Sequence, residues 1–220
     1  ETWADYQLEE RMAKDKKTVN EFISQLLVPS MEYALKDVED VFKFAKKNGF
    51  EGDKLMPWDF TFWSERYQEA EYSLNAEELK PYFRLENCID AVFSLANRLY
   101  GLEFVELDNV PVYHEDVKVY EVKDADGRHM ALFYADFFPR ASKRGGAWMT
   151  EFRGQSIKNG VEYRPFISTV MNFTKPTADT PSLITHDEFT TFLHEFGHAV
   201  HGILAEGRYE SLTGTNAPRD

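Results

Sequence analysis

The run from Thr185 to Gly207 constrains the fold more than any other stretch. Thr185 followed three residues later by Glu188 is a capping box, in which each side chain satisfies a backbone N–H left free at a helix start. A helix is therefore expected from His186, with Gly207 ending it, about six turns by ordinary geometry. Phe189, Phe192, Leu193, Phe196, Val200, Ile203 and Leu204 give it a broad apolar surface. Such a surface has to be covered, so this is a core helix whatever else it does.

The same helix carries His194-Glu195-Phe196-Gly197-His198. Four steps of about 100° leave the two histidines about 40° apart on one face, one turn apart. Two imidazole nitrogens can then meet one tetrahedral ion. Glu195 sits about 100° round from His194, awkward as a ligand but in reach of a water on that ion. His-Glu-x-x-His thus supplies two ligands and one general base for peptide hydrolysis by a metal-activated water. A pattern with three fixed positions also occurs by chance, and a core helix that happens to carry histidines is the competing reading. That reading leaves two histidines and a glutamate unexplained in an apolar stretch, where buried polar groups need partners. Gly197 costs about 1 kcal/mol relative to Ala in a helix, which points to close approach of another segment. His201 lies seven residues, roughly 10 Å, along the axis from His194. It cannot share an ion with both other histidines, so it and His186 read as supporting or packing residues. His114 and His129 read as ordinary strand or loop histidines.

Ahead of that helix the chain divides by periodicity. Residues 1–104 read as a helical region, 105–175 as a small β-sheet region, and 176–220 as the motif helix with its following loop, all parts of one larger catalytic domain. In the first, Val19, Phe22, Ile23, Leu26 and Leu27 recur at helical spacing. Pro29 is expected to end or kink that run, and Ser30 to cap a second helix that stops at Asn48-Gly49. Pro57 suits a first turn. Asn75 with Glu78 resembles a capping box, and a helix over residues 86–100 is ended by Gly101. Val117–Val122 alternates at period two, Asp124–Gly127 turns, and His129–Phe138 and Arg164–Phe173 follow as strands. The fold class is α+β, mainly α with a small β-sheet.

Composition narrows the partners. The net charge of −13 argues against nucleic acid or an anionic membrane surface. No apolar run approaches the roughly 20 residues that span a bilayer. The single cysteine, Cys88, excludes an intrachain disulfide and sits where a small apolar core residue is expected. The first residues are acidic and amphipathic, unlike a signal peptide, and both ends look cut from a longer protein. No serine-hydrolase elbow, phosphate-binding loop or Cys-x-x-Cys is present.

Several stretches resemble one family. The helix run Phe192–His201, the run Phe133–Arg140 with Lys143–Met149, Asn172–Pro176, and Ser211–Asp220 are similar to the thimet oligopeptidase family of zinc metallopeptidases, and nearest to its bacterial peptidyl-dipeptidase branch. Similarity is strongest from about Trp58 onward. The resemblance implies a zincin-like fold, this chain being a partial domain of a longer, largely helical peptidase with a deep channel. It implies His194 and His198 as zinc ligands, Glu195 as general base, and short peptides as substrates. It also implies a third ligand, a glutamate about three residues past Asp220, completing a two-His, one-Glu site. The tyrosine and histidine that stabilise the oxyanion in the family would lie further on. The 220 residues alone are then expected to be inactive and to hold zinc weakly or not at all. The substrate-binding residues and the oligomeric state stay open. The parent is expected in the cytoplasm or periplasm of a bacterium, the cytoplasm favoured.

Weaker candidates remain. Arg140, Lys143 and Arg144 beside Gly145-Gly146 read first as a solvated loop and second as a holder of a peptide's C-terminal carboxylate. The strand from Phe133 to Phe138 could extend a bound peptide if its edge faces the cleft. Two alternatives to the peptidyl-dipeptidase are an oligoendopeptidase of the same family and a catalytically silent helical peptide-binding scaffold.

Overall fold

A computed structural model describes residues 2–72 and 76–216. The capping box expected at Asn75 and the last residues of the Ser211–Asp220 run lie outside the described residues. The chain divides into two compact units between residues 75 and 76.

The first unit is helical. Helix α1 (Trp3–Leu8) opens on a Thr2–Asp5 capping box. Helix α2 (Lys16–Lys47) is capped by Asp15, whose carboxylate accepts from the Thr18 N–H. Helix α3 (Pro57–Tyr72) starts at the proline. Val41, Ala45 and Trp63 form its core, with Phe44, Phe50 and Tyr67 packed against them. The break expected at Pro29 does not occur, and α2 runs through it. Every residue from Glu21 to Ser30 is exposed. Water can therefore replace the donor that Gln25 loses to the proline ring, and nothing forces the flanking turns apart. Ser30 caps nothing; its hydroxyl donates to the Leu26 carbonyl within the helix (2.7 Å).

The second unit begins with a short helix, α4 (Ala76–Leu79), and then α5 (Leu85–Tyr100), which Gly101 ends at φ 69° in the left-handed region. Seven strands follow: β1 (Glu103–Leu107), β2 (Lys118–Lys123), β3 (His129–Asp136), β4 (Trp148–Arg153), β5 (Ser156–Lys158), β6 (Val161–Tyr163) and β7 (Phe166–Val170). Five form a mixed sheet in the order β1-β2-β3-β7-β4, with β3 and β7 parallel and the other pairs antiparallel. The remaining two, β5 and β6, make a separate hairpin. Helix α6 (His186–Ile203) closes the unit. The architecture is α+β, and the change from helices to strands falls inside this second unit. Among the described residues no helix is long and apolar enough to cross a membrane.

One face of the sheet carries the main core. Cys88, Ile89, Val92 and Ala96 of α5 and Phe192, Phe196, Ala199 and Ile203 of α6 pack with Phe133, Ala135 and Ile167 of the strands. Phe93 stacks on Phe104 at 4.1 Å between ring centroids, and Phe133 meets Phe196 edge-on at 5.7 Å. Cys88 is buried there as expected, and burial pushes its thiol up to about 11. The opposite face has its own small cluster, with Val117, Val119 and Tyr134 packed against Leu132 and Phe166. Two sequence expectations fail in this unit. Strand β3 is central rather than an edge, so it has no free edge to offer a peptide; the edges are β1 and β4. The motif helix ends at Ile203, short of Gly207. The reason is Arg164, only 8% exposed. Its guanidinium donates to the carbonyls of Ile203 (2.7 Å), Ala205 (3.2 Å) and Met130 (2.8 Å), satisfying acceptors that a further helical turn would have used.

Candidate metal centre

Helix α6 starts where the capping box puts it. The Thr185 hydroxyl accepts from the Glu188 N–H (3.1 Å), and the Glu188 carboxylate accepts from the Thr185 N–H (2.7 Å). With Phe192, Phe196, Ala199 and Val200 anchored in the core, the opposite stripe is left outward: His194, Gly197, His198 and His201 are exposed and Glu195 is half-buried. The polar triplet is therefore not buried among the apolar residues, as its sequence neighbours suggested. It sits on the solvent side of a helix whose other side is core.

The two imidazoles stand edge to face, 82° apart in plane, with centroids at 4.9 Å. Their Nε2 atoms are 3.2 Å apart. Two nitrogens bound at 2.0–2.1 Å to a tetrahedral zinc are roughly 3.3–3.4 Å apart. The pair is thus already at the spacing such an ion needs, and imidazole is a suitable donor for it. Among the described residues no group of three His, Cys, Asp or Glu side chains converges, so these two nitrogens are joined by no third donor there. The Glu195 side chain has no hydrogen bond or ion pair within the described residues. Its carboxylate is unoccupied and one helical step from His194.

The other histidines have other surroundings. His201 is exposed on the rim of a 470 Å³ cavity shared with Gly197 and Gly214. His186 lies edge-on to Phe83. His114 accepts from the Asp116 N–H (3.2 Å), and His129 pairs with Glu121 (3.1 Å). Gly197 does not admit another segment: no atom comes within 4 Å of where a Cβ would sit. Of the two glycines in α6, the one with no room for a side chain is Gly202, where a Cβ would lie 2.6 Å from Ile167 and 2.7 Å from Glu151. Gly197→Ala is accordingly expected to stabilise the fold by about 0.5–1 kcal/mol through helix propensity. Gly202→Ala should destabilise it by about 1–3 kcal/mol through overpacking. Urea denaturation of the two variants side by side checks both signs.

The segment after α6 is stitched to β4 and β5 by residues that periodicity did not single out. Gly207 N–H donates to Gln155 (2.7 Å) and Ile157 N–H to the Arg208 carbonyl (3.1 Å). Glu210 accepts from Gly154 N–H (3.3 Å) and Lys158 (3.0 Å). Asn216 donates to Glu151 (3.1 Å). Burial raises the Glu151 pKa, against the opposing pull of Asn216 and His201. A carboxyl with a raised folded pKa lowers stability as pH rises through the interval above its ordinary value, roughly 4.3. Glu151→Gln keeps an acceptor for Asn216 and removes that penalty. Its Tm is expected to exceed wild type at pH 7 and to match it at pH 4, which thermal scans at the two pH values would show.

The basic loop is not the solvated one expected. The Lys143 side chain is 2% exposed and donates to Asp136 Oδ1 (3.0 Å) and to the carbonyls of Asp136 (3.0 Å) and Phe138 (2.8 Å). Arg140 forks onto both Asp136 oxygens, each at 2.9 Å. Burial works against ionising Asp136, but the Arg140 and Lys143 hydrogen bonds outweigh it and hold the carboxyl below its ordinary value. Only Arg144 of the three cations is exposed.

The chain is 40% identical over 99% of its length to the dipeptidyl carboxypeptidase of Salmonella typhimurium, covering 32% of that protein. It is 43% identical over 93% of its length to a probable cytosolic oligopeptidase A of Arabidopsis thaliana, covering 30%. To the oligopeptidase A of Escherichia coli it is 34% identical over 97% of its length, covering 32%. The chain thus spans about a third of the length of these curated relatives. The model of peptidase family M3 matches residues 1–220, and the chain belongs to that family.

Proposed function

We propose that these residues are part of a zinc-dependent metallopeptidase that cleaves short peptides, a peptidyl-dipeptidase releasing C-terminal dipeptides. The observation that carries the reading is the pair of Nε2 atoms 3.2 Å apart on the exposed stripe of α6, with the unengaged Glu195 carboxylate beside them. His194 and His198 would hold the ion. Zinc bound there would supply a Lewis acid and bring the pKa of a water down to about 7. Glu195 accepts a proton from the attacking water and passes it on to the leaving amine nitrogen. The capped, core-anchored helix keeps the three side chains in register through that exchange. A third protein ligand, the glutamate implied past Asp220, is part of the proposal, which therefore concerns the whole protein in which this chain sits. The edge strands β1 and β4, not the central β3, are the ones with an edge that could align a peptide.

An oligoendopeptidase is the second reading, favoured by the likeness to proteins named oligopeptidase A. The complete protein, zinc-loaded, should remove dipeptides one after another from the C-terminus of a peptide with a blocked N-terminus. Mass spectrometry of the products, with chelator and zinc add-back, decides. Internal cuts would move the enzyme to the oligopeptidase type, and a zinc-bound protein that cuts nothing would be a scaffold.

A further inference from the structure

A cavity of about 740 Å³ opens where β3 and β7 end and β4 begins. It lies on the face of the sheet away from α6. Gly202 of α6 abuts Ile167 and Glu151, so these side chains point towards the helix. Alternation along the strands then turns Val170, Trp148 and Thr150 to the other face. The Phe152 ring confirms the side, standing edge-on to Tyr134 at 5.6 Å and to Tyr113 at 5.8 Å.

The charge in this cavity is opposite to that of the chain. The protein carries −13 overall. Here Asp136, 1% exposed, accepts from Arg140 twice, from Lys143 and from the Tyr113 hydroxyl (3.1 Å), which fills its acceptor sites. Two cations share that one carboxylate. The next acid acting on them, Asp116, is held by Lys175 (2.5 Å). Arg144 lines the same cavity with no carboxylate partner among the described residues. Among the residues lining the cavity one carboxylate, Asp136, therefore faces three cations, Arg140, Lys143 and Arg144, and that excess of positive charge suits an anion. Arg140 spends two of its five N–H donors on Asp136 and has three left. The walls beside it are apolar and aromatic: Trp148, Phe152 and Val170.

We propose that this cavity binds an organic carboxylate carrying an aromatic or branched apolar body, with the carboxylate between Arg140 and Arg144 and the body against Trp148 and Phe152. A fork-shaped cation beside an aromatic wall recognises such a ligand better than a bare inorganic anion, which would gain nothing from the walls. The site is independent of the peptidase reading, because it shares no side chain with the histidine stripe of α6.

The test is calorimetric titration of the complete protein, kept free of metal with chelator so that no probe is cleaved, with N-acetylphenylalanine, its amide, and inorganic phosphate. The acid should bind at least tenfold more tightly than the amide and than phosphate. Arg144→Gln should weaken the acid at least tenfold and leave the amide unchanged. Because the Arg144 side chain holds no other element, the variant should fold, and circular dichroism verifies that. A short peptide ending in phenylalanine with a free C-terminus separates two sources of the same chemistry: tighter binding than the single residue points to peptide termini, equal binding to small acids. Equal affinity for acid and amide, equal affinity for phosphate, no binding of any probe, or indifference to Arg144→Gln would overturn the proposal.

Discussion

Glu195→Gln in the complete peptidase is expected to keep zinc at wild-type stoichiometry while turnover falls by about 10²–10⁴, the usual worth of a general base. The side chain is positioned to act without being needed to hold anything. It is half-buried, has no hydrogen bond or ion pair among the described residues, and sits one step from His194. Glutamine keeps the volume and loses only the ability to take a proton. His194→Ala should behave differently, because it removes one of the two nitrogens 3.2 Å apart and with it the ion. Metal analysis beside single-turnover rates separates the two variants. A Glu195→Gln protein that cleaves as fast as wild type would sink the proton-transfer role, and an alanine variant that retains one zinc per chain would sink the ligand assignment.

Arg164→Leu should strongly destabilise the fold of the second unit. Its guanidinium reaches the carbonyls of Met130, Ile203 and Ala205 and the Glu162 carboxylate (2.7 Å), all from a side chain that is 8% exposed. Leucine fills part of the volume but leaves three carbonyls without their donor and the Glu162 carboxylate with only the Gln155 amide (3.4 Å). Breaking a buried charged partnership of this kind costs about 3–5 kcal/mol. Arg164→Lys should recover only part of that, since an ammonium is a point donor and cannot fork across the end of α6. Urea unfolding of both variants measures the gap. A loss below about 1 kcal/mol in the leucine variant would mean that water serves these carbonyls as well as the arginine does.

Local chemistry was legible where a few adjacent residues decide the outcome. The Thr185–Glu188 box, the left-handed Gly101, the first-turn Pro57 and the buried Cys88 each depend on neighbours in the chain, and each stands where the residues imply. Edge strands were harder. The pattern of β1, Glu-Phe-Val-Glu-Leu, is mostly exposed, and β4 is only half-buried, so neither shows the apolar alternation of a covered strand. Pro29 misled because its cost is paid to water on an exposed turn, which composition does not reveal.

The sequence by itself determined the register of α6. Capping and 3.6-residue periodicity are short-range effects, and they suffice to put His194, Glu195 and His198 on adjoining positions of one helix face. Tertiary structure alone decided which face of that helix meets water, because that depends on where α5 and the sheet cover it. It also decided that Gly202 and not Gly197 is the tight glycine, that Arg164 ends the helix, and that Lys143 is buried on Asp136. Each of these joins residues far apart in the chain or placed by a folded loop, and a hydrogen bond or a steric contact of that kind exists only once packing has brought the partners within a few ångströms.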